Sequence, residues 1–258
     1  MPVCRSSITT MERWIGKIAV VTGASSGIGE AIAKVLVRTG VNVVGFARRE
    51  ERLQVISKEL DGSKGSLHPV RGDVRNEADI LRAFQYAKDK FGGVDILVNN
   101  AGICQHQAIT EASTESLRAL LEVNVLGAAV CAREAVKSIR QRGTEGHIIN
   151  INSILGLDAT IATVPVSLYP ASKFALHAMT INLREEIRQN RDNIRMTGIY
   201  PGLVKTEILE MSGADPRVYN KLPYVESEDI ADAVIYALSA PCNVQVEEIK
   251  ITPLHDKY

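Results

Sequence analysis

A tyrosine and a lysine four positions apart, Tyr169 and Lys173, are the residues of this chain best suited to proton chemistry. Side chains at this spacing lie on the same face of a helix, and a helical pattern starts here. A nearby ammonium favours the phenolate form. Proton transfer near pH 7 requires the pKa of the phenol to fall from about 10 to about 7, or about 4 kcal/mol. A lysine and a cationic cofactor could supply this, so the pair predicts a proton donor and acceptor for an alcohol or carbonyl group.

A glycine-rich segment near the start of the chain, residues 22–29, predicts a phosphate site. It reads Thr-Gly-Ala-Ser-Ser-Gly-Ile-Gly, between a strand-like and a helix-like pattern. Gly23 permits a sharp turn, Gly27 lets the backbone approach a pyrophosphate, and Gly29 lets the helix pack closely. The helix N-terminus then offers free N–H groups and partial positive charge to the phosphates. An ordinary tight turn is the alternative, but this placement favours a dinucleotide.

The end of the second predicted strand, Phe46-Ala47-Arg48-Arg49, indicates which nicotinamide cofactor fits. NAD-binding proteins generally place an acidic residue near this point to hold the ribose 2′-hydroxyl. Two guanidinium groups stand there instead, and arginine suits a 2′-phosphate through charge-assisted hydrogen bonds. The sequence therefore favours NADP(H) over NAD(H). Because Glu50 and Glu51 follow, a solvated helix start of mixed charge is the alternative.

Strand-like and helix-like segments alternate along the chain. Buried strands are predicted over residues 17–22, 41–46, 66–71, 95–98, 147–151, 194–200 and 246–251. Helical patterns cover residues 28–38, 50–60, 77–90, 114–140, 172–188 and 227–239, of which the long region 114–140 is either one helix or two. Such alternation is typical of parallel strands joined by crossover helices. We expect an α/β fold: a single doubly wound Rossmann domain over 14–258, about seven parallel strands with helices on both faces, after a flexible extension over 1–13 in which Met11 is an alternative start.

The bulk composition excludes several classes of function. The 258 residues are 45% apolar and 23% charged with a formal net charge of +0, so no global field recruits nucleic acid or anionic membrane. Apolar runs stay short of the ~18 residues of a membrane span. The 4 cysteines and 5 histidines form no CxxC or HExxH pattern, so no metal site is expected. Scattered cysteines fit a reducing, cytoplasmic setting.

Several motifs, in this order, resemble the short-chain dehydrogenase/reductase family over nearly the whole length from Arg13. The matching positions are TGxxxGIG at 22–29, NNAG at 99–102, the asparagine at Asn124, the serine at Ser153, YxxxK at Tyr169 and Lys173, and the PG turn at 201–202. Residues 11–14, 146–153 and 244–253 resemble a narrower group within the family. That group works on lipophilic alcohols, aldehydes and ketosteroids with NADP(H).

The resemblance implies four catalytic residues. Tyr169 would be the general acid/base, Lys173 would lower its pKa and hold the nicotinamide ribose, and Ser153 would hydrogen-bond the substrate oxygen. Asn124 would hold a water that links Lys173 to solvent. Simpler alternatives are that Ser153 caps a turn and that Asn124 bonds to backbone inside a helix.

The resemblance also implies the residues that bind the cofactor. They are Gly23, Ser25, Ser26, Gly27, Ile28 and Gly29 at the pyrophosphate, Arg48 and Arg49 at the 2′-phosphate, Asp73 and Val74 at the adenine, Asn100 and Gly102 at the riboses, Val204 and Thr206 at the carboxamide, and Tyr169 and Lys173. For Asp73 the alternative is a helix N-cap, although Asn76 is also available for that role.

Two segments are expected to shape the substrate site. Sixteen positions separate Ser153 from Tyr169, against about a dozen in the family, and the extra residues lie around 158–167. The side chains of Leu157, Ile161, Val164 and Pro165 could wall an apolar pocket or pack on their own domain. Residues 206–225 correspond to the family's substrate lid. Its apolar or amphipathic members are Ile208, Leu209, Met211, Tyr219, Leu222 and Tyr224, while Glu207, Glu210 and Lys221 are expected to face water.

The sequence therefore predicts an NADP(H)-dependent oxidoreductase that interconverts lipophilic alcohols with aldehydes and ketones by hydride transfer. A non-catalytic NADP-binding sensor or scaffold is the alternative, although such proteins usually lose the tyrosine, lysine or serine. The resemblance implies a homodimer or homotetramer built through the helical regions 114–140 and 172–188.

Overall fold

Seven parallel strands form one sheet within residues 11–213, 215–219 and 221–254, the part of the chain that the computed structural model describes. The strands are β1 (Ile18–Thr22), β2 (Asn42–Ala47), β3 (Leu67–Arg71), β4 (Ile96–Asn99), β5 (Gly146–Ile151), β6 (Ile194–Pro201) and β7 (Glu248–Ile251). Their order across the sheet is β3-β2-β1-β4-β5-β6-β7, and every neighbouring pair is parallel. The strand order reverses at β1: β2 and β3 lie on one side of it, and β4 to β7 lie on the other. This order confirms the predicted doubly wound α/β fold.

Helices connect the strands and cover both faces of the sheet. They are α1 (Gly27–Arg38), α2 (Glu50–Glu59), α3 (Glu77–Phe91), α4 (Thr114–Leu121), α5 (Ala128–Arg142), α6 (Tyr169–Gln189), α7 (Glu207–Met211), α8 (Pro216–Tyr219) and α9 (Ser227–Ser239). Among the described residues, none of these helices combines the length and apolarity needed to cross a membrane.

Apolar side chains pack in two layers, one on each face of the sheet. Ile32 and Leu36 of α1 and Leu238 of α9 are fully buried in the first layer. Ile80 of α3 and Ile139 of α5 are buried in the second layer. Each such side chain stabilises the fold by about 1.5–3 kcal/mol on burial. The five inner strands, β2, β1, β4, β5 and β6, are covered on both sides, which explains why they read as continuous apolar runs rather than alternating ones. The prediction of buried strands is wrong for the edge strands β3 and β7, which are only partly buried because each has a neighbour on one side alone.

Three helical regions differ from the sequence-based expectation. The region 114–140 is interrupted by a π-helical segment, Glu122–Gly127, between α4 and α5. The helix expected from residue 172 already begins at Tyr169, because Pro170 occupies its first turn, where a missing N–H costs no hydrogen bond. The short helices α7 and α8 lie in the segment 206–225, for which no helix was predicted.

The residues just before β1 contact the end of α9. Residues 1–10 of the predicted extension lie outside the described residues, but Glu12–Trp14 forms a 3₁₀ turn. The guanidinium of Arg13 donates hydrogen bonds to the carbonyl oxygens of Leu238, at 2.6 Å, and of Ala240. The indole N–H of Trp14 donates to the same Leu238 oxygen at 2.9 Å. Arg13, the last residue of the predicted extension, is thus fastened to the fold in the same way as Trp14.

Candidate active site

A cavity of about 740 Å³ opens at the carboxyl edge of the sheet, where parallel α/β folds bind their ligands. Sixteen predicted site residues line it: Gly23, Ser25, Ser26, Gly27, Ile28, Arg48, Arg49, Asp73, Val74, Asn100, Gly102, Ser153, Tyr169, Lys173, Val204 and Thr206. The two other predicted residues, Gly29 and Asn124, are not among the residues that line the cavity. The sequence motifs, which are spread over 180 positions of the chain, thus converge on a single cleft.

The glycine loop between β1 and α1 has a backbone that side chains would disturb. Gly23 and Gly27 have positive φ angles of 68° and 54°, which glycine adopts at no steric cost. A Cβ atom on Gly29 would lie 2.3 Å from the carbonyl oxygen of Gly23. No side chain caps the N-terminus of α1, whose N-cap is Ser26, so its first backbone N–H groups remain directed to the cleft. This cradle fits a pyrophosphate, which needs close backbone approach and donors.

Thr22 and Asn100 fasten the glycine loop to the turn after β4. The Thr22 hydroxyl accepts hydrogen bonds from the backbone N–H groups of Asn100 and Ala101, both at 3.0 Å. The Asn100 amide donates in return to the carbonyl oxygen of Thr22 at 3.0 Å. The NNAG turn therefore holds the floor of the cleft rigidly against the loop, a task that the sequence alone did not assign to Asn100.

Arginines beside the glycine loop carry the positive charge of the cleft. Arg49 donates to the hydroxyl of Ser26 at 2.6 Å and to the carboxylate of Glu207 at 2.8 Å. Arg52 donates to the other oxygen of the same carboxylate. Arg48 lies exposed at the rim. Glu207, which was expected to face water, is partly exposed but also lines the cavity and bridges two arginines, which hold the pKa of its carboxyl below the usual range.

Asp73 follows β3 and is organised by Arg75. Burial tends to raise the pKa of the Asp73 carboxyl, but hydrogen bonds from the Arg75 side chain and backbone outweigh burial and lower it. Asn76, not Asp73, caps α3, since its side chain accepts a hydrogen bond from Ala78 N. The N-cap alternative for Asp73 is therefore excluded, and the carboxylate stays at the cavity wall.

Tyr169 lies at the first position of α6, deep in the cleft, with Lys173 one turn later. The Lys173 ammonium nitrogen lies 5.7 Å from the centre of the Tyr169 ring. Burial raises the pKa of Tyr169, Cys104 adds to this, and a hydrogen-bonding interaction with Ser153 opposes it. In the protein alone the phenol is thus protonated at neutral pH; the expected acidification requires a cationic cofactor in addition to Lys173.

Lys173 is almost fully buried and is anchored to the sheet. Its ammonium donates a hydrogen bond to the carbonyl oxygen of Ile151, at the end of β5, at 3.0 Å. Burial lowers its pKa from 10.5 to about 8. A Cβ atom on Gly102 would come within 3.8 Å of the same nitrogen. The lysine therefore lies between α6, β5 and the NNAG turn, at the centre of the catalytic end of the cleft.

Asn124 is held by the π-helical segment and bonds to backbone outside its own helix. Its side-chain oxygen accepts from Ile103 N at 2.9 Å, and its amide donates to Ile103 O at 2.9 Å. The amide also donates to the hydroxyl of Ser172, again at 2.9 Å. Asn124 thus braces the loop after β4, at Ile103, against α6. The π segment, which inserts an extra residue into the helix, was not visible in the sequence pattern.

Ser153 combines the two roles that the sequence left open. Its hydroxyl accepts a hydrogen bond from Leu155 N at 3.1 Å, which caps the short turn Ile154–Gly156. The same side chain interacts with the phenol of Tyr169. Capping orients the Ser153 hydroxyl, so the structural role and the position at the reactive end are compatible.

Cys104 is a residue of the site that sequence reasoning missed. It lines the cavity three positions after Ala101, and burial raises the pKa of its thiol to about 11. Charge interactions couple it to both Tyr169 and Lys173. The only available signal was its place directly after the NNAG motif.

The substrate end of the cavity is apolar on two sides. Ile161 and Val164 of the extra segment 158–167 line it, whereas Leu157 and Pro165 do not. Five lid side chains also line it: Ile208, Leu209, Met211, Tyr219 and Leu222. Tyr224 instead packs outside, with the Lys205 ammonium 5.0 Å from its ring centre.

Comparison with known proteins agrees with this geometry. The profile of the family described as short chain dehydrogenase matches residues 17–217. Farnesol dehydrogenase of Aedes aegypti is 44% identical over 251 residues, covering 96% of this chain and 100% of that protein. Dehydrogenase/reductase SDR family member 11 of Homo sapiens is 40% identical over 251 residues, covering 94% and 96% respectively.

A solved structure extends the comparison to the fold. L-Sorbose reductase from Gluconobacter frateurii, complexed with NADPH and L-sorbose, superposes with a TM-score of 0.80. It is 30% identical, and the match covers 93% of this chain and 96% of that one. Both the family resemblance and the narrower resemblance carried by residues 11–14, 146–153 and 244–253 are confirmed by these relatives.

Proposed function

Since this chain belongs to the short-chain dehydrogenase family, we propose that it is an NADP(H)-dependent oxidoreductase acting on lipophilic alcohols, aldehydes and ketones. One observation carries the proposal: Tyr169, Lys173 and Ser153 meet at one end of a cleft whose other end is a glycine-lined phosphate cradle. A proton donor and a dinucleotide site in one cavity are what alcohol–carbonyl interconversion requires.

Tyr169 is the general acid and base of this reaction. Its raised pKa keeps the phenol protonated at neutral pH, so it is ready to donate a proton to a carbonyl oxygen. The Ser153 hydroxyl, oriented by its bond to Leu155 N, stabilises charge that develops on that oxygen. In alcohol oxidation the phenolate form, whose proton has passed to solvent, would take up the hydroxyl proton. The nicotinamide, when bound, would supply or accept the hydride, and its oxidised ring would bring a positive charge that lowers the pKa of the phenol.

Lys173 positions the reactive end and shields it from bulk solvent. Its hydrogen bond to Ile151 O fixes the ammonium beneath Gly102, where the hydroxyls of a nicotinamide ribose would find a donor. With a pKa near 8 it is largely protonated at pH 7 and adds positive charge beside the phenol. Asn124 holds the Ile103 backbone and Ser172, so it keeps this corner from relaxing.

We assign NADP(H) rather than NAD(H) because Arg48 and Arg49 follow β2 and line the cavity, where NAD sites place a carboxylate. The structural relative L-sorbose reductase is complexed with NADPH, which agrees with this choice. Asp73 and Val74 lie at the wall beyond the arginines, in the place suited to an adenine. Val204 and Thr206 line the opposite wall and would hold the carboxamide.

The apolar lining favours a lipophilic substrate. Ile161, Val164, Ile208 and Met211 line the cavity with side chains that offer no hydrogen bonds to a sugar or an acid. The relative from Aedes aegypti is a farnesol dehydrogenase, so a farnesol-like terpenoid is the first substrate to test, with steroids and diketones next.

We further propose a cytoplasmic homodimer or homotetramer. The exposed faces of α6 and of the segment between α4 and α5 carry large apolar side chains, among them Leu126, Phe174 and Ile181. Burying such side chains in a partner would remove their exposure to water. Sedimentation or light scattering of the purified protein measures the assembly directly.

A substrate panel tests the function. Farnesol, retinol, hydroxysteroids and a diketone are offered with NADP(H) and with NAD(H), and hydride transfer is followed by nicotinamide absorbance. We expect turnover of at least one lipophilic substrate and a preference for NADP(H). Tight NADPH binding, seen by fluorescence, without turnover of any member of the panel would instead identify a cofactor sensor.

A further inference from the structure

The lid helix α7 is tied to the cofactor-binding arginines by one carboxylate. Glu207 receives a 2.8 Å ion pair from Arg49 through one oxygen and a second from Arg52 through the other. Its side chain is 36% exposed, so both pairs lie at the rim of the cleft rather than in the core. Glu207 is thus the counter-anion of the charge on which the proposed preference for NADP(H) rests.

Arg49 reaches Glu207 from the glycine loop itself. The same guanidinium donates to Ser26 at 2.6 Å and approaches Ser25 at 3.4 Å, both at the start of α1. Thr206, next to Glu207, abuts this loop as well, because a Cβ atom on Gly27 would lie 3.0 Å from its methyl group. The first residues of the lid, Thr206 and Glu207, therefore contact the glycine loop and Arg49. A phosphate that binds there has to compete with them.

The other side of α7 faces the substrate. Ile208, Leu209 and Met211 line the cavity, so any shift of α7 changes the walls of the apolar site. A carboxylate and a phosphate are both oxyanions that an arginine binds through its planar fork, and the two compete for the same donors. A ligand shifts a conformational equilibrium only by its differential affinity for the two states, and here the arginines supply that difference.

We propose that Glu207 is a specificity-determining residue that competes with the cofactor 2′-phosphate for Arg49, so that binding of the phosphate releases α7 from that arginine. This inference rests on the proposed use of NADP(H). Glu207 weakens binding of the phosphorylated nucleotide. It also couples nucleotide binding to movement of the lid. A nucleotide without the 2′-phosphate leaves the ion pairs in place.

Calorimetric titration with two nucleotides tests the competition without any turnover. The ligands are 2′,5′-ADP and 5′-AMP, which differ by the 2′-phosphate alone, and the proteins are wild type, Glu207→Gln and Glu210→Gln. Glu210 is the matched control, since it is exposed on the same helix. We expect Glu207→Gln to bind 2′,5′-ADP roughly three- to tenfold more tightly and 5′-AMP unchanged, as expected for the loss of two partly exposed ion pairs. An unchanged affinity for 2′,5′-ADP would overturn the proposal.

Limited proteolysis tests the tie to the lid. Trypsin can cut this segment after Arg217 and Lys221. Without nucleotide, the Glu207→Gln lid should be cut about two- to fivefold faster than the wild-type and Glu210→Gln lids, because the helix has lost its anchor. Equal rates would show that the ion pairs do not hold α7. If wild type binds 5′-AMP as tightly as 2′,5′-ADP, the proposed preference for NADP(H) is wrong, whatever Glu207→Gln does.

Discussion

The Lys173 ammonium lies 5.7 Å from the centre of the Tyr169 ring, and both side chains are inside the cleft. Burial moves their pKa values in opposite senses: it raises that of the phenol and lowers that of the ammonium to about 8. Each shift follows from the cost of a charge in a poorly solvated place. At neutral pH the phenol is therefore protonated, and the ammonium beside it is largely charged.

Replacing Tyr169 by phenylalanine should remove the proton donor while leaving the cavity walls intact. We expect kcat to fall by about 10²–10⁴-fold, the usual contribution of a general acid, with the NADPH dissociation constant within twofold of wild type. Steady-state kinetics and fluorescence titration measure the two quantities. Tyr236→Phe is the matched control, because that tyrosine is 61% exposed on α9. Retention of more than a tenth of the activity in Tyr169→Phe would refute the assignment.

Replacing Lys173 by methionine should lower activity and cofactor affinity but raise the free energy of unfolding near pH 7. Activity should be lost and NADPH binding weakened, because the ammonium positions both the phenol and the ribose. The folded protein should nevertheless be more stable near pH 7, since a buried charge is removed and a side chain of similar length remains. If neither activity nor cofactor affinity changes, the anchoring role of Lys173 is wrong.

The pH dependence of this gain has a definite sign. The Lys173 pKa is about 8 in the folded protein and 10.5 as the ordinary value, so the charged form destabilises the fold. The cost is about 3 kcal/mol, is fully present below pH 8 and disappears as the pH rises to 10.5. The lost hydrogen bond to Ile151 O subtracts about 1 kcal/mol from the gain. Urea unfolding should show Lys173→Met gaining stability over wild type at pH 7 and losing that advantage by pH 10, whereas exposed Lys88→Met shows no such trend.

Those features that depend on local patterns were predictable from the sequence. The inner strands were readable because each is covered on both faces and its residues are mostly apolar without alternation. The glycine loop was readable because Gly23, Gly27 and Gly29 each satisfy a backbone need that no other residue meets as well. Tyr169 and Lys173 were recognisable as a pair because one helical turn fixes their relation before any tertiary contact forms.

Features that depend on tertiary contacts were not predictable. Glu207 was expected in water, because nothing local indicates that Arg49 and Arg52, more than 150 positions earlier, point at it. The position of Cys104 beside the phenol depends on how two distant segments meet. The pKa of Tyr169 was expected to fall with a cationic cofactor beside Lys173; in the protein alone burial raises it, and the extent of that burial is a property of the fold.

Arg48 lies exposed at the rim of the cavity, where it is available to a 2′-phosphate. Arg48→Ala should weaken NADPH binding by about tenfold to a hundredfold, as expected for the loss of charged hydrogen bonds, and should leave NADH binding within twofold. Fluorescence titration with both cofactors measures this. Arg38→Ala, an exposed arginine at the end of α1, controls for net charge. Equal losses for the two cofactors would show that Arg48 does not bind the phosphate.

Replacing Gly29 by alanine tests the proposed phosphate site, because the side of α1 that carries Gly29 leaves no room for a methyl group. An added Cβ would lie 2.3 Å from the carbonyl oxygen of Gly23 and 2.4 Å from the side-chain amide of Asn100. The loop must therefore move in Gly29→Ala, which costs about 1–3 kcal/mol of stability and misplaces the donors of the phosphate site. We expect a lower melting temperature and at least a tenfold loss of affinity for NADPH and NADH alike.

Gly92→Ala provides the comparison that separates these two effects. Gly92 ends α3 with a φ of 86° and has open space around it, so an alanine there strains the backbone far from the cleft. It should lower the melting temperature without weakening either cofactor. If Gly29→Ala also loses stability only, the close approach of α1 to the glycine loop serves packing, and the phosphates must be held elsewhere.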